Sequence, residues 1–516
     1  MSIVVALEDL LNGSPLLYLI EQDEDGGSLP AQVSEALVST IETNIRQLPT
    51  APDQAALVRQ IGQDLLALLS SHPDIEAVIR KKLNANRKHE EPIYLYFKHQ
   101  ITKFEHWPWE ALYAKDVGFL AQDKKFAVAR SQCCNYGKSE WAFEPPLRIL
   151  AVLGASGSSS GRDKPVSGKE QWHSLRDAVA ASGLPVELRV LTCERTLRNG
   201  INRERLDWAA ADLIPPDKPA RPGHRIPPPE AGLAPRDLLF NYIEAYAPHI
   251  LHVFSHATAD PNPQLQVGTY RDWELCSQGS ILIEGNQLKE RADSDGNIWL
   301  VTLNCCETAM NGPGTGALSM SVAAMLARQG VPAVVGMREQ ISKDFANAFS
   351  HLFYDALLND LRARITRAPA SGGLVDIHWA CGLFKIRQRV ADGASSLLEW
   401  TLPVMHTAYD FKLMVKTPIL AAPILSRTKT ARTKPAKGSM RTRATPKPKR
   451  LSEKQARELT DELLQLYEDR KLFVRKKPVV KVIDRRIATI ARLLDLAPGD
   501  SHARSGPSIA TGSECL

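Results

Sequence analysis

HILHVFSH (249–256) and NIWLVTLNCC (297–306) decide the fold. Each is a short apolar run without polar alternation, the pattern of a strand buried on both faces of a parallel sheet. Each also ends on a side chain that can do chemistry, His256 in the first and Cys306 in the second. Open α/β sheets take ligands beyond the carboxyl ends of such strands. A thiol and an imidazole delivered there from neighbouring strands make a nucleophile and its proton-transfer partner. Taken singly, a cysteine is more often packing and a histidine more often a satisfied hydrogen-bonder. The pair at two strand ends, His first, is the sharper reading.

Further strands are expected at 15–23, 147–154, 187–192 and 332–337. Helices are expected near 29–48, 53–82, 169–183, 236–246, 315–329, 342–360 and 375–390. Such alternation predicts an α/β fold with a mostly parallel sheet covered by helices on both faces. The stretch GASGSSSG (154–161) lacks both the terminal GK[ST] of a phosphate-binding loop and the G-x-G-x-x-G of a dinucleotide site, so it reads as a mobile loop. Residues 214–235 hold eight prolines, a density that forbids helix or central strand. They read as an exposed insertion ahead of the His256 strand.

The motifs resemble those of the CHAT domain, a caspase-like cysteine peptidase fold of clan CD. The resemblance covers roughly residues 90–412. It is carried by HWPWEALY (106–113) with VGFLA (117–121), LHVFSHA (251–257), LVTLNCCETA (300–309), GVPAVVGM (330–337), VDIHWA (375–380) and EWTLPVMH (399–406). Two positions depart from the family pattern. Ala257 stands where the family usually has Gly, which keeps the backbone N–H but not the freedom of positive φ. Cys305 stands where a small residue such as Ala is common, and aligning LNCCETA with LNACETA makes Cys306 the nucleophile and Cys305 a buried small residue.

The resemblance implies attack by Cys306 on a peptide carbonyl. A free thiol titrates near ~8.5, so it needs a cation, hydrogen bonds or a helix N-terminus to supply thiolate. His256 serves as that cation, then protonates the leaving amine before water releases the acyl-enzyme. Backbone N–H groups of Ala257 and Cys306 are the expected oxyanion donors. In caspase-like enzymes the residue two before the nucleophile lines the S1 pocket. Here it is Asn304, a neutral amide, so an acidic pocket would need Asp260 or Glu307, which otherwise read as solvent-exposed. No cofactor and no metal are expected. The eight cysteines lack CxxC spacing, which argues against zinc and against a disulfide framework.

The resemblance divides the chain into an N-terminal part of the peptidase unit (1–90) and the CHAT peptidase domain (91–420). A basic linker (421–450), a small C-terminal helical interaction module (451–496) and a polar tail (497–516) follow. The net charge is +6, yet residues 427–450 alone hold ten Lys or Arg and no acid. That run buries no apolar surface and reads as disordered. It has no aromatic side chain to stack on bases, so linker is preferred over contact with nucleic acid or anionic membrane. Beyond it, Ser452 and Gln455 form a capping box, with Leu459, Leu463, Leu466 and Tyr467 in a stripe and Ile483, Ile487, Ile490 and Leu494 in a second. This hairpin is read as docking onto an adaptor or a second copy, or as an appendage of the catalytic domain.

Composition is ordinary for a globular enzyme, 44% hydrophobic and 24% charged. The start MSIVVALEDLLNG lacks a basic region before a long apolar stretch, and no run of 18 apolar residues occurs, so a soluble cytoplasmic protein is expected. The resemblance further implies bacterial defence or regulated cell death, with a protein substrate such as a gasdermin-like pore-forming protein. The rival reading is a catalytically silent CHAT-fold signalling scaffold.

Overall fold

The computed structural model describes residues 2–9, 15–20, 30–84, 92–99, 104–122, 126–131, 140–157, 165–220, 233–258, 263–292, 297–306, 308, 321–369, 372–392, 399–407 and 411–416. The linker, helical module and tail expected beyond residue 420 lie outside these residues.

Along the chain come β1 Ser2–Asp9, β2 Pro15–Ile20, β3 Ala31–Gln32, α1 Glu35–Gln47, α2 Gln54–Ser70 and α3 Pro73–Asn84. Next are β4 Ile93–His99, a small hairpin of β5 Tyr113–Ala114 and β6 Gly118–Phe119, then β7 Phe126–Ser131 and β8 Glu140–Phe143. Alternation begins with β9 Leu147–Leu153, α4 Lys169–Ser182, β10 Val186–Thr192, α5 Arg195–Glu204, β11 Ala209–Leu213, α6 Pro235–Tyr246 and β12 Ile250–Phe254. A short antiparallel sheet follows, made of β13 His256–Thr258, β14 Gln264–Val267 and β15 Ile281–Glu284, with α7 Tyr270–Glu274 between the last two. The described part closes with α8 Gly285–Ala292, β16 Leu300–Leu303, α9 Val322–Arg328, β17 Ala333–Met337, α10 Lys343–Arg367, β18 Gly373–Asp376, α11 Ala380–Asp392, β19 Pro403–Thr407 and β20 Lys412–Val415.

Twelve strands form one sheet in the order β11-β10-β9-β12-β16-β17-β19-β7-β4-β1-β2-β3. From β11 to β17 every neighbouring pair is parallel. β19 runs antiparallel to β17, and β7, β4 and β1 follow the direction of β19. The fold is therefore α/β and mostly parallel, built from two parallel blocks of opposite direction. Strand residues divide by parity between the faces. Ile250, Phe254 and Leu300 pack in one core with Phe349 and Phe353 of α10, whereas Leu251, Val253, Val301 and Leu303 pack in another with Ile243 of α6 and Leu326 of α9. Each fully buried side chain of this kind contributes about 1.5–3 kcal/mol.

β1, in the N-terminal part of the peptidase unit, pairs in parallel with β4 and belongs to the main sheet. Three expectations need correcting. The helix expected over 53–82 is two, because the chain turns at Ser71 and His72 and Pro73, which has no N–H to donate, opens α3. VDIHWA does not open a helix; Gly373–Asp376 pairs with β20, and α11 starts at Ala380. GASGSSSG is also less loose than expected over its first four residues. Gly157 bridges to Gln278, and a Cβ on Gly154 would meet Val267 Cγ1 at 2.7 Å.

Within the second block, β19 and β7 meet at a narrow seam with one registered pair, His406 with Arg130. Arg387 of α11 reinforces it by donating to Val128 O on β7 and Pro403 O on β19. Glu110, fully buried in the HWPWEALY segment, sits among three arginines. Arg130 binds it through both guanidinium ends, Arg387 lies at 3.7 Å and Arg338 at 3.9 Å. Burial alone would raise this carboxyl, but Arg130, Arg387 and Arg338 hold it below the usual range. Burial pushes Arg387 down to about 10, opposed by Glu110 and aided by Arg130 and Arg338.

No helix among the described residues is long and apolar enough to cross a membrane.

Candidate active site

β12 and β16 pair so that each residue faces the one fifty positions further along: Ile250 with Leu300, Leu251 with Val301, His252 with Thr302, Val253 with Leu303. Asn304 N then donates to Val253 O at 2.9 Å, and Ser255 Oγ lies 3.4 Å from Cys305 Sγ. His256 and Cys306 are the next residues on each chain. Both residues thus follow the carboxyl ends of neighbouring parallel strands.

The adjacent thiols are in different surroundings. Cys305 is buried beside Ser255 Oγ and Val253 O, and burial, partly offset by the Ser255 hydrogen bonds, pushes its thiol up to about 12. Cys306 is partly exposed, and its Sγ lies 4.0 Å from Ile341 O, two residues before α10 begins. That helix opens at Ser342, whose hydroxyl accepts from Phe345 N, with Asp344 in its first turn. Thr308 closes the turn around Cys306. Its hydroxyl donates to Cys305 O at 3.1 Å and accepts from Met337 N at 3.0 Å, tying the turn to the end of β17.

His256 leaves the main sheet and begins β13, opposite Gln266 of β14. It is half-buried, and its Nε2 has no hydrogen-bond partner among the described residues. Ala257 pairs with Leu265 inside the same strand. Its backbone is extended, a conformation open to any residue, so glycine is not required there.

Asn304 turns away from the rim. It is 1% exposed, and its Nδ2 faces Gln171 Oε1 at 3.1 Å, Ala346 O at 2.9 Å and Ser350 Oγ at 2.9 Å, bracing α4 and α10 against β16. The amide is engaged with the core rather than with the rim where a substrate side chain would lie. Asp260 and Glu307 fall outside the described residues. Thr308, Gln171 and Ser350 were not singled out in the sequence; only Thr308 carried a signal there, as part of the ETA of the cysteine motif. Among the described residues no group of three or more His, Cys, Asp or Glu is placed to hold a metal ion.

The sequence matches the CHAT domain family over residues 59–369, and the chain belongs to that family. Its fold is accordingly of the cysteine peptidase type. Among solved structures it is similar to the Saccharomyces cerevisiae separase–securin complex, at 9% identity and a TM-score of 0.39, covering 80% of this chain and 30% of that one. It is also similar to the complex of pro- and mature domains of Porphyromonas gingivalis RgpB, at 10% identity and a TM-score of 0.34, covering 73% of this chain and 78% of that one. The chain thus spans about 30% of the separase chain's length. A comparison with curated proteins gives no match. The family assignment rests on the CHAT match.

Proposed function

We propose that this chain is a caspase-like cysteine endopeptidase in which Cys306 is the nucleophile and His256 the general acid and base. The observation that carries the reading is the contact of Ser255 with Cys305, which keeps β12 and β16 in register up to the residues before the pair. Cys306 Sγ adds to the scissile carbonyl carbon, and the N–H groups of Cys306 and Ala257 receive the oxyanion. Collapse expels the amine, which takes its proton from His256. Water, deprotonated by the same imidazole, then cleaves the thioester and restores the thiol.

Support comes from the division of labour between the two cysteines: a thiol pushed up to about 12 supplies almost no thiolate at neutral pH, which leaves Cys306 at the rim. The rival scaffold reading loses its main ground, because Ala257 occupies an extended strand. The experiment is labelling of the full chain with a peptide electrophile that captures thiolates, followed by peptide mapping. Label on Cys306 supports the enzyme; a chain that stays unlabelled supports the scaffold.

By analogy with its family, the substrate is a protein partner, a gasdermin-like pore-forming protein being one example, in a cytoplasmic defence or cell-death pathway. The segment 451–496 would recruit it, or self-associate.

A further inference from the structure

Glu110 is fully buried, stands far from Cys306 in sequence, and belongs to a motif that the chemistry above does not use. Its three arginines are not held equally. Arg130 is fixed by Glu105 O and Trp107 O as well as by the carboxylate. Arg387 is fixed by Val128 O and Pro403 O. Arg338 has one side-chain hydroxyl, Thr401 Oγ1 at 2.9 Å, and Glu339 at 3.4 Å from its Nε. It is also the most exposed of the three, at 8% against 1% for Arg387 and 0% for Arg130. Glu110 is the carboxylate that all three share, so its loss leaves Arg338, the most exposed of them, the least firmly held.

Arg338 directly follows β17, whose last residue, Met337, donates to Thr308 in the Cys306 turn. Three residues later Ile341 O meets Cys306 Sγ, and Ser342 caps α10. The main chain at Arg338 is pinned by its N–H to Leu402 O at 2.9 Å. Ile341 O, which meets Cys306 Sγ, and Met337 N, which holds the Cys306 turn through Thr308, thus both lie within residues 337–342.

We propose that Glu110 is a positioning residue for Cys306, acting through Arg338 on the turn 338–342, and so links the N-terminal block of the sheet to the reactive thiol. This rests on the peptidase reading. Glu110 touches no substrate; it sets where the turn and the start of α10 lie against Sγ. Displacing a reacting group by about an ångström is enough to slow chemistry about a hundredfold.

The test compares the full-length protein with Glu110→Gln, Arg338→Met and Arg338→Lys, reading kcat and KM on a peptide substrate and the iodoacetamide alkylation rate of Cys306 by peptide mapping. Arg338→Met keeps Glu110 bound to Arg130 and Arg387, so it answers the question even where Glu110→Gln fails to fold. The expected result is a fall in kcat of about tenfold or more with KM little changed, a parallel fall in alkylation, and partial recovery in Arg338→Lys. Wild-type kcat and alkylation in folded Arg338→Met would overturn the proposal. So would a rise in KM at constant kcat, which marks Arg338 as a substrate ligand. If the wild-type protein cleaves no peptide, the peptidase reading falls while the alkylation rates still decide this one.

Discussion

Ser255 and Cys305 touch, Oγ to Sγ at 3.4 Å, beyond the last registered pair of β12 and β16. Because strand residues alternate faces, a contact at this level leaves Asn304 directed to the other face, the one lined by α10. The buried thiol thus fixes the level of the exposed one.

Replacing Cys306 with Ala is expected to abolish peptide cleavage with no change in fold. Cys305→Ala should retain most activity and lose about 1 kcal/mol from the small cavity left behind. Active-site titration and denaturant unfolding of both variants check this; equal loss of activity from two folded proteins would remove Cys306 from its role.

His256→Ala should lose turnover by about a hundredfold or more while the midpoint of thermal unfolding stays within a few degrees, since the side chain acts at the rim. Steady-state kinetics at matched folded concentration decide. Normal turnover would exclude it as acid and base.

Asn304→Asp should not create a preference for Arg or Lys at P1. The new carboxylate would face Ala346 O and Gln171 Oε1, both acceptors, so the expected effect is destabilisation of about 1–3 kcal/mol. Profiling with a peptide library, alongside unfolding in urea, separates the outcomes. A basic P1 preference would show that the side chain reaches substrate.

Stability should fall in mild acid partly through His252. Burial lowers its pKa from 6.5 to about 3, so between these values the unfolded chain binds the proton and the folded one does not. Its contribution is fully present above pH 6.5 and is lost as pH falls towards about 3, at up to ~1.4 kcal/mol per unit. Urea unfolding at pH 7 and pH 5 should show a smaller acid loss in His252→Phe, whose ring can keep the edge contact with Tyr354. Identical losses would show that His252 does not titrate in this way.

Strands buried on both faces were legible because HILHVF and LVTL lack polar alternation: only His249, His252 and Thr302 are polar, and every residue is buried. The fifty-residue register was not legible, since it depends on pairing between distant segments. The same holds for SIVVALED at 2–9, whose partner begins at Ile93. His256 was expected to end its strand, but the chain steps off the main sheet at Ser255 and starts a second one. Nothing near Glu110 in the sequence reveals that Arg130, Arg338 and Arg387, scattered over more than two hundred residues, gather around it. Asn304 was placed by analogy with a pocket wall, and nothing local reveals that Gln171 and Ser350 engage its amide.

The reversal of strand direction between β17 and β19 has a geometric consequence. Strand ends of the kind that host ligands in α/β proteins occur on both rims of this sheet, facing opposite ways. His256 and Cys306 occupy the rim where β12 and β16 finish. β1, β4 and β7 finish on the other, about as far from the thiol as the height of the sheet allows. A molecule bound there would be out of reach of the reaction, and its influence on Cys306 would have to cross the narrow join between β7 and β19.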